Sequence, residues 1–379
     1  MKETRVVIGG DIFPRDNNVA LYAQGDVNAL FSGEIIELFD RADFTVCNLE
    51  GALTDTDGRI AKCGPSIKAP AEACAAIRRL GVDCVTLANN HAADYGRQGI
   101  RDTCQTLAEN GIRFFGGGEN EESVQPSVVI PLNGKSIAFY AVSETVFNIP
   151  EENGGANLYD EYRVCREIGE LKRRCDYLIV LYHGGVEYYE YPTPWVRRRF
   201  HRMADSGADC VLAQHTHCIG TREDYNGAYL LYGQGNFHFD MRARADMTKY
   251  GLLLELVFSE EGTRIKPHRI SLEGNRATYD SRQDLSGFEE RNRRLAAGES
   301  FEAEFSAYCE EWFVKWLLEF RGLRLSDKLL RRLLPTKSLI RRLRKKYRDV
   351  TVLRMLEHVR GEEDVEVMQQ GLRDFFRIQ

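Results

Sequence analysis

The chain has 379 residues, of which 43% are hydrophobic and 28% charged, with a formal net charge of −6. This balance is typical of a soluble protein with one large core and an appendage. There is no run of about 18 apolar residues, which argues against a membrane-spanning helix. The ten cysteines form no CxxC pair, so neither a zinc knuckle nor a dithiol redox site is expected. With no leader-like start, we expect no signal peptide and a reducing, cytoplasmic location.

Apolar runs alternate with helical patterns from the N-terminus to about residue 275. The runs predict buried strands at residues 5–10, 43–47, 83–87, 177–182, 210–213 and 229–232. Helical spacing predicts helices at residues 71–80, 96–110, 161–175 and 194–206. Two β-hairpins are expected, across Asn133-Gly134 and across Glu260-Glu261-Gly262. This alternation predicts an α/β protein with a layered, mixed sheet.

The alternation stops around residues 275–300, where charge rises. We therefore predict a domain at 1–285 and a basic helical appendage at 286–379. Between Arg321 and Arg348 there are twelve Lys or Arg residues and one acid, Asp327. We favour a helix with a core face and a solvated basic face. Attachment to an anionic membrane surface or polyanion, and a cover over the active-site rim, stay open. No nucleic-acid recognition motif accompanies the charge, so no specific nucleic acid is expected.

Acid, amide and imidazole side chains recur just after the predicted strands. Imidazole, carboxylate and amide oxygen are ligands for zinc, manganese or iron. Each cluster alone could be a helix cap, a surface turn or a satisfied core histidine. Together they predict several strands that deliver ligands to one rim of a sheet, as in a metal-dependent enzyme or a descendant of one. The clusters are Gly10-Asp11, Asn48-Leu49-Glu50, Asn89-Asn90-His91, His183 and His215-Thr216-His217, the last with both imidazoles on one side of an extended segment.

The order of motifs resembles the bacterial capsule-synthesis (CapA-like) poly-gamma-glutamate biosynthesis proteins, a branch of the calcineurin-like metallophosphoesterase superfamily. The resemblance covers residues 5 to about 275. It rests on the five clusters above, together with Gly51, Leu53-Thr54-Asp55, Ala88, Asp94, Gly96, Gly99, Gly184-Gly185-Val186-Glu187-Tyr188, Pro192, Gly207-Ala208-Asp209, Gly235-Asn236-Phe237 and Phe239-Asp240.

This resemblance implies a four-layered α/β/β/α metallophosphoesterase-like sandwich that binds one or two divalent metal ions (Mn, Fe or Zn). Glu50 stands where the superfamily has its bridging carboxylate. Asn90 is the implied amide ligand, and His91 the general acid for the leaving group. The implied metal ligands are Asp11, Glu50, Asn90, His183, His215 and His217. The residues implied to contact substrate or to support these ligands are Glu187, Asn236, Asn89 and Asp94.

Two functions follow as expectations. The first is a metal-dependent hydrolase or transferase in capsule or poly-gamma-glutamate type surface-polymer biosynthesis, in which metal hydroxide attacks a phosphoester or amide of the polymer or its precursor. The alternative is a non-catalytic accessory protein that binds an anionic polymer or a synthase at the membrane surface. Asp11-Ile12-Phe13 replaces the usual Asp-x-His, which favours the alternative. Gly184 is expected to open the pocket wall. Asp94 either caps the helix beginning near Tyr95, which we favour, or orients His91.

Overall fold

The computed structural model describes residues 3–15, 17–60, 62, 64–144, 154–239, 246–299, 301, 303–309, 365–368 and 370. The chain divides into two compact units, one of residues 1–60 with 66–299 and one of residues 61–65 with 300–379. This division falls after Glu299, so a helix that begins at Ser286 belongs to the larger unit. In the smaller unit, residues 303–309 and 365–368 are helical. The basic segment from Arg321 to Arg348 lies outside the described residues.

All the elements labelled below belong to the larger unit. The strands are β1 (Thr4–Ile12), β2 (Phe44–Leu49), β3 (Ala52–Leu53), β4 (Lys68–Ala69), β5 (Cys84–Thr86), β6 (Arg113–Phe115), β7 (Gly117–Gly118), β8 (Ser127–Leu132), β9 (Lys135–Ser143), β10 (Gly155–Ala156), β11 (Tyr177–His183), β12 (Cys210–Gln214), β13 (Arg222–Tyr225), β14 (Ala228–Leu231), β15 (Asn236–His238), β16 (Tyr250–Ser259), β17 (Gly262–Glu273) and β18 (Arg276–Tyr279). The helices are α1 (Val19–Gln24), α2 (Val27–Leu30), α3 (Gly33–Asp40), α4 (Cys74–Arg79), α5 (Gly96–Glu109), α6 (Glu161–Lys172), α7 (Pro194–Asp205) and α8 (Ser286–Ala296).

The first sheet has the strand order β18-β17-β16-β1-β2-β5-β6, and β15 pairs with β1. The strands β1, β2, β5 and β6 run parallel. The antiparallel hairpin of β16 and β17 turns across Glu260-Glu261, as predicted. Every residue of β2 is buried, because layers cover both faces of this sheet.

The second sheet has the order β13-β14-β12-β11-β9-β8. Its central strands β9, β11, β12 and β14 are parallel. The predicted hairpin of β8 and β9 is also confirmed. Asn133 and Gly134 both have positive φ, 48° and 83°, which suits a two-residue turn between right-twisted strands.

Two hydrophobic cores separate the layers. One lies between the sheets and joins side chains such as Ile8 and Val46 of the first sheet to Phe139, Leu181 and Leu212 of the second. This core is continuous because alternate side chains of both sheets point toward it.

The second core covers the opposite face of the first sheet. There Val7 and Cys47 pack with Ile35 of α3 and Ile77 of α4. Burying one such aliphatic side chain stabilises the fold by about 1.5–3 kcal/mol.

The outer face of the second sheet is covered by α6 and α7. Phe200 of α7 packs edge-on against Tyr182 of β11, with 5.3 Å between ring centroids. From α6, Glu167 accepts a hydrogen bond of 2.8 Å from Tyr140 of β9. The order helices, sheet, sheet, helices is the predicted four-layered α/β/β/α sandwich.

Candidate metal centre

Strand register brings the first group of polar side chains together. On β1, Asp11 pairs with Asn48 of β2 on one side and with Asn236 of β15 on the other. The approach of β15 requires Gly10, since a Cβ there would lie 2.6 Å from the backbone oxygen of Gly235. The three residues therefore stand side by side near the carboxyl end of β1.

The second sheet supplies the histidines. His183 ends β11 and pairs with Gln214, the last residue of β12. His215 and His217 then adopt left-handed backbone conformations, with φ of 88° and 53°. The expected extended segment is therefore wrong, although the two imidazoles do converge, with 5.9 Å between ring centroids. Such conformations cost about 1–3 kcal/mol each and cluster at functional sites.

A metal-type cluster forms where the two sheets meet. Glu50, His215 and His217 are all buried, and one ligand atom of each lies within 4.8 Å of the others. Neither carboxylate oxygen of Glu50 has a hydrogen-bond partner among the described residues. A buried carboxylate without partners is costly. One carboxylate and two imidazoles form a donor set that fits a divalent transition metal, which would supply the missing partner.

The other three implied ligands surround this cluster. His183 Nε2 lies 2.9 Å from Asn90 Oδ1 and 3.9 Å from Glu50 Oε1. Asp11 Oδ1 lies 3.9 Å from His183 Nδ1, and Asp11 Oδ2 lies 3.7 Å from His217 Nδ1. All six implied ligands thus share one site, and their role as ligands stays a prediction.

The electrostatics of the site suit metal binding. Burial lowers the pKa of His215 to about 4 and that of His183 well below its usual value. Both imidazoles are therefore neutral near pH 7, the form that binds metals. Burial raises the pKa of Asp11. Burial and the charge of Asp11 raise that of Glu50 well above its usual range. A bound cation would favour the ionised form of both carboxyls.

A chain of asparagines connects the motifs. The side-chain nitrogen of Asn48 donates to Asp11 (2.8 Å) and lies 3.2 Å from His183 Nδ1. Asn48 in turn accepts from Asn89, 3.0 Å away. Asn89 accepts from the backbone N–H of His91 at 3.1 Å. The sequence analysis placed Asn48 in a polar cluster at a strand end but assigned it no role in the site. The available signal was its place at the end of an apolar run, two residues before Glu50.

Asp94 belongs to the site through His91. Its Oδ2 lies 2.7 Å from His91 Nδ1 and also accepts from the backbone N–H of Ile67 at 2.7 Å. The helix α5 begins after Tyr95, whose own side chain makes no capping bond, and the favoured role of Asp94 as a helix cap stays a prediction. Its bond to His91 supports the other expectation, that Asp94 orients this imidazole, which is buried and close enough for its charge to act on His183 and His215.

Asn236 and Glu187 flank the two converging histidines. Asn236 Oδ1 lies 2.8 Å from His217 Nδ1, and the side-chain nitrogen of Asn236 donates to the Thr248 carbonyl at 2.9 Å. The charge of Glu187 acts on both His215 and Glu50. Both residues therefore reach the site at which the sequence placed them.

The space beside Gly184 is filled. A Cβ at this position would lie 2.5 Å from the side chain of Glu144, so the expectation that Gly184 opens the pocket wall is wrong. Glu144 accepts a hydrogen bond from Tyr182 and pairs with Arg199 at 2.9 Å. Its backbone N–H donates to the His183 carbonyl at 3.0 Å. Sequence reasoning did not identify this buried group behind His183.

Phe13 lies two residues after Asp11, at the position where the Asp-x-His pattern implied by the resemblance has its histidine. It is fully buried, and a Cβ on Gly51 would lie 2.6 Å from its ring. Gly51 has a φ of 152°, a conformation that L side chains rarely adopt. The aromatic ring thus packs directly against the turn that carries Glu50.

Comparisons with known proteins agree with the order of motifs. The PGA biosynthesis protein CapA of Bacillus subtilis (strain 168) is 29% identical over 208 residues, which cover 54% of this chain and 55% of that protein. The capsule biosynthesis protein CapA of Bacillus anthracis is 26% identical over 240 residues, covering 58% of each. The chain therefore spans little more than half the length of these relatives.

Among solved structures, the crystal structure of a novel phosphatase from Mycoplasma pneumoniae aligns with a TM-score of 0.47 at 14% identity. The alignment covers 76% of this chain and 99% of that one. The sequence profile of the family described as bacterial capsule synthesis protein PGA_cap matches residues 5–241. Because that match covers more than half of the chain, the protein belongs to the bacterial capsule synthesis protein PGA_cap family.

Proposed function

We propose that the chain is a metal-dependent hydrolase or transferase in the biosynthesis of a capsule or poly-gamma-glutamate type surface polymer. One observation carries this proposal: Glu50, His215 and His217 converge in a buried cluster in which the carboxylate has no hydrogen-bond partner among the described residues. Family membership and the names of the Bacillus relatives support the polymer as the biological context.

The cluster is proposed to hold the metal, with Asp11, Asn90 and His183 completing the set. A divalent metal bound there would supply a Lewis acid and lower the pKa of a water molecule. The chain's own residues prepare the site for it. Burial keeps the imidazoles of His183 and His215 neutral, and Asn48 fixes the Asp11 carboxylate through its hydrogen bond.

His91 is proposed to protonate the leaving group. Asp94 contacts its Nδ1 and thereby orients the imidazole, and Nε2 is proposed to be the nitrogen that exchanges a proton with the substrate. The bond from its backbone to Asn89 holds the residue in place. An oxygen or nitrogen leaving group, as in a phosphoester or an amide, needs such a donor at neutral pH.

The partners are proposed to be an anionic polymer or its precursor. The basic segment between Arg321 and Arg348 suits a peripheral contact with an anionic membrane. Among the described residues, no helix is long and apolar enough to cross a bilayer. No disulfide joins the nine cysteines that the structure describes. We propose a cytoplasmic, membrane-peripheral location.

Metal analysis tests the proposal. Purified protein loaded with Mn²⁺, Fe²⁺ or Zn²⁺ and then desalted is expected to retain metal. The double variant His215→Ala with His217→Ala is expected to lose it. His201→Ala is the matched control, because His201 pairs with Glu223 outside the cluster. No retained metal in the unmutated protein would contradict the proposal.

Turnover is then assayed with bis(4-nitrophenyl) phosphate and with a γ-glutamyl 4-nitroanilide. Metal-dependent hydrolysis of either compound, abolished by Asn90→Ala, is the expected result. The Asn90 variant removes the amide oxygen that faces His183 and leaves the three clustered ligands in place.

A second candidate function is a non-catalytic accessory protein. The observation that favours it is Phe13, which places a buried aromatic ring where the first motif would carry another ligand. Such a protein would keep the fold and hold a polymer or a synthase. Metal retention without turnover of either compound, together with binding of γ-glutamyl oligomers, is the result expected for this candidate.

A further inference from the structure

A small pocket opens between the segment that follows β1 and the β3–β4 pair. Its volume is about 210 Å³, and its polar lining consists of Arg15, Thr54, Asp55 and Lys68. The pocket lies next to Glu50 in the chain, because Thr54 follows the Glu50 turn by four residues. None of these four residues has a role in the metal centre described above.

Most polar groups of this pocket already have partners. Lys68 donates to the backbone carbonyls of Asp55 (3.1 Å) and Thr56 (2.7 Å) and to the carboxylate of Asp57 (2.9 Å). These bonds use all three N–H groups of its ammonium. The Thr54 hydroxyl donates to Asp102. Lys68 and Thr54 thus build the wall and leave little capacity for a ligand.

Arg15 differs from Lys68 and Thr54 in the contacts of its charged group. Its guanidinium carbon lies 5.5 Å from the centroid of the Phe239 ring. Arg15 makes no ion pair with the acids in the described part of the chain. Its backbone is anchored, since its N–H donates to Asn18 Oδ1 at 2.7 Å and its carbonyl accepts from Asn18 and Val19. An aromatic face positions a guanidinium while leaving its N–H edge for another partner.

Arg15 also lies on the side of Glu50. The Phe239 ring that Arg15 contacts also stacks on His217, with 5.3 Å between ring centroids. The strand that leads to Arg15 contacts the Glu50 turn as well, since the backbone N–H of Glu50 donates to the Ile12 carbonyl at 3.3 Å. A substrate oxyanion held by Arg15 would therefore lie near the metal centre.

We propose that Arg15 binds an oxyanion of the substrate, a carboxylate or a phosphate, in the pocket beside Glu50. The planar guanidinium forms paired hydrogen bonds to either group, and charged hydrogen bonds of this kind are strong. The proposal rests on the proposed function for the identity of the reacting site. It deepens that function by assigning a second anionic group to the substrate class, next to the bond that is cleaved or transferred.

Isothermal titration calorimetry tests the proposal without requiring turnover. The probes are inorganic phosphate, a γ-glutamyl trimer and the same trimer with its carboxylates converted to carboxamides. Arg15→Gln is expected to weaken binding of phosphate or of the acidic trimer by about 10- to 100-fold. Arg15→Lys is expected to recover part of that affinity, because lysine keeps the positive charge but lacks the paired N–H donors of the guanidinium.

Arg101→Gln is the matched control, since Arg101 on α5 pairs with Glu119 and does not line the pocket. This control is expected to bind each probe like the unmutated protein. The carboxamide trimer is expected to bind weakly and equally to the unmutated protein and to Arg15→Gln. If Arg15→Gln weakens the binding of phosphate alone, the group that Arg15 binds is a phosphate. If it weakens the binding of the acidic trimer alone, that group is a carboxylate.

Two results would overturn the proposal. One is equal binding of both anions by the unmutated protein and by Arg15→Gln, which would leave Arg15 a packing residue over Phe239. The other is the absence of measurable binding of either anion to the unmutated protein. Retained metal is measured in parallel, and Arg15→Gln is expected to keep it. If the protein shows no metal-dependent turnover but still binds anions through Arg15, the proposed function is refuted and this inference is not.

Discussion

Replacing Asn236 by alanine tests whether this residue, which is not itself an implied ligand, fixes the tautomer of His217 for metal binding. The nitrogen of its amide donates to the Thr248 carbonyl, which can only accept. Asn236 Oδ1 must therefore face His217 Nδ1, 2.8 Å away. This requires His217 Nδ1 to carry the proton, which leaves the lone pair of Nε2 for a metal.

The size of the effect follows from this geometry. Asn236 is fully buried, so no bulk water replaces the lost acceptor. Residues that orient metal-binding histidines typically contribute about 10- to 100-fold to metal affinity. For Asn236→Ala we expect a loss in that range, which equals about 1.4–2.8 kcal/mol at about 1.4 kcal/mol per factor of ten.

The assay is competition for Zn²⁺ or Mn²⁺ against a chromophoric chelator, with circular dichroism to verify the fold. Asn236→Asp keeps an acceptor oxygen and is expected to bind more tightly than Asn236→Ala. Asn226→Ala is the control, because Asn226 bonds Asp205 at the surface and is expected to leave affinity unchanged. A folded Asn236→Ala protein with unmutated affinity would refute the reasoning about the His217 tautomer.

Three further predictions concern pH and stability. Metal affinity is expected to fall as pH decreases from 7, because Glu50, whose pKa is raised by burial and by the charge of Asp11, gains a proton that the metal must displace. Protonation of His215, with its pKa lowered by burial to about 4, adds to the loss near pH 4; a chelator titration that shows constant affinity from pH 7 to 4 would contradict this. Arg199→Met is expected to cost about 3–5 kcal/mol in urea unfolding, because it leaves the buried Glu144 carboxylate without its 2.9 Å partner, and an unchanged midpoint would be the contrary result. The hydrogen bond from His268 lowers the pKa of Glu255 from 4.5 to about 2, so the stability that this interaction contributes is present above pH 4.5 and lost as pH falls to 2. Glu255→Gln is expected to flatten that pH dependence of the unfolding free energy, and exposed Glu261→Gln to leave it unchanged.

The sequence located the strands that end at the site because their signal is local. The apolar run from Tyr177 to Tyr182 predicts a strand that ends at His183, and the structure confirms it. Near the end of the larger unit, β18 escaped prediction, and α8 was predicted only as part of a helical appendage at 286–379. Few of their residues are buried, one in β18 and two, Phe288 and Leu295, in α8, so their stability comes from packing against other elements.

The sequence also located the implied ligands by a local signal, because they lie at or just after the ends of strands. It missed the roles that depend on contacts between strands. The role of Asn48 depends instead on strand pairing, which places it beside Asp11 and within reach of His183. The filled space at Gly184 depends on Glu144, from another strand end.

The amino-acid pattern by itself therefore determined the layered α/β architecture, the two hairpins and the kinds of side chain at the strand ends. Periodicity and turn chemistry act over a few residues, and they can be read along the chain. Only the tertiary structure decided that His215 and His217 turn through left-handed backbone toward Glu50, and that Asp94 contacts His91. Those outcomes depend on register and burial, which arise from contacts between residues far apart in sequence.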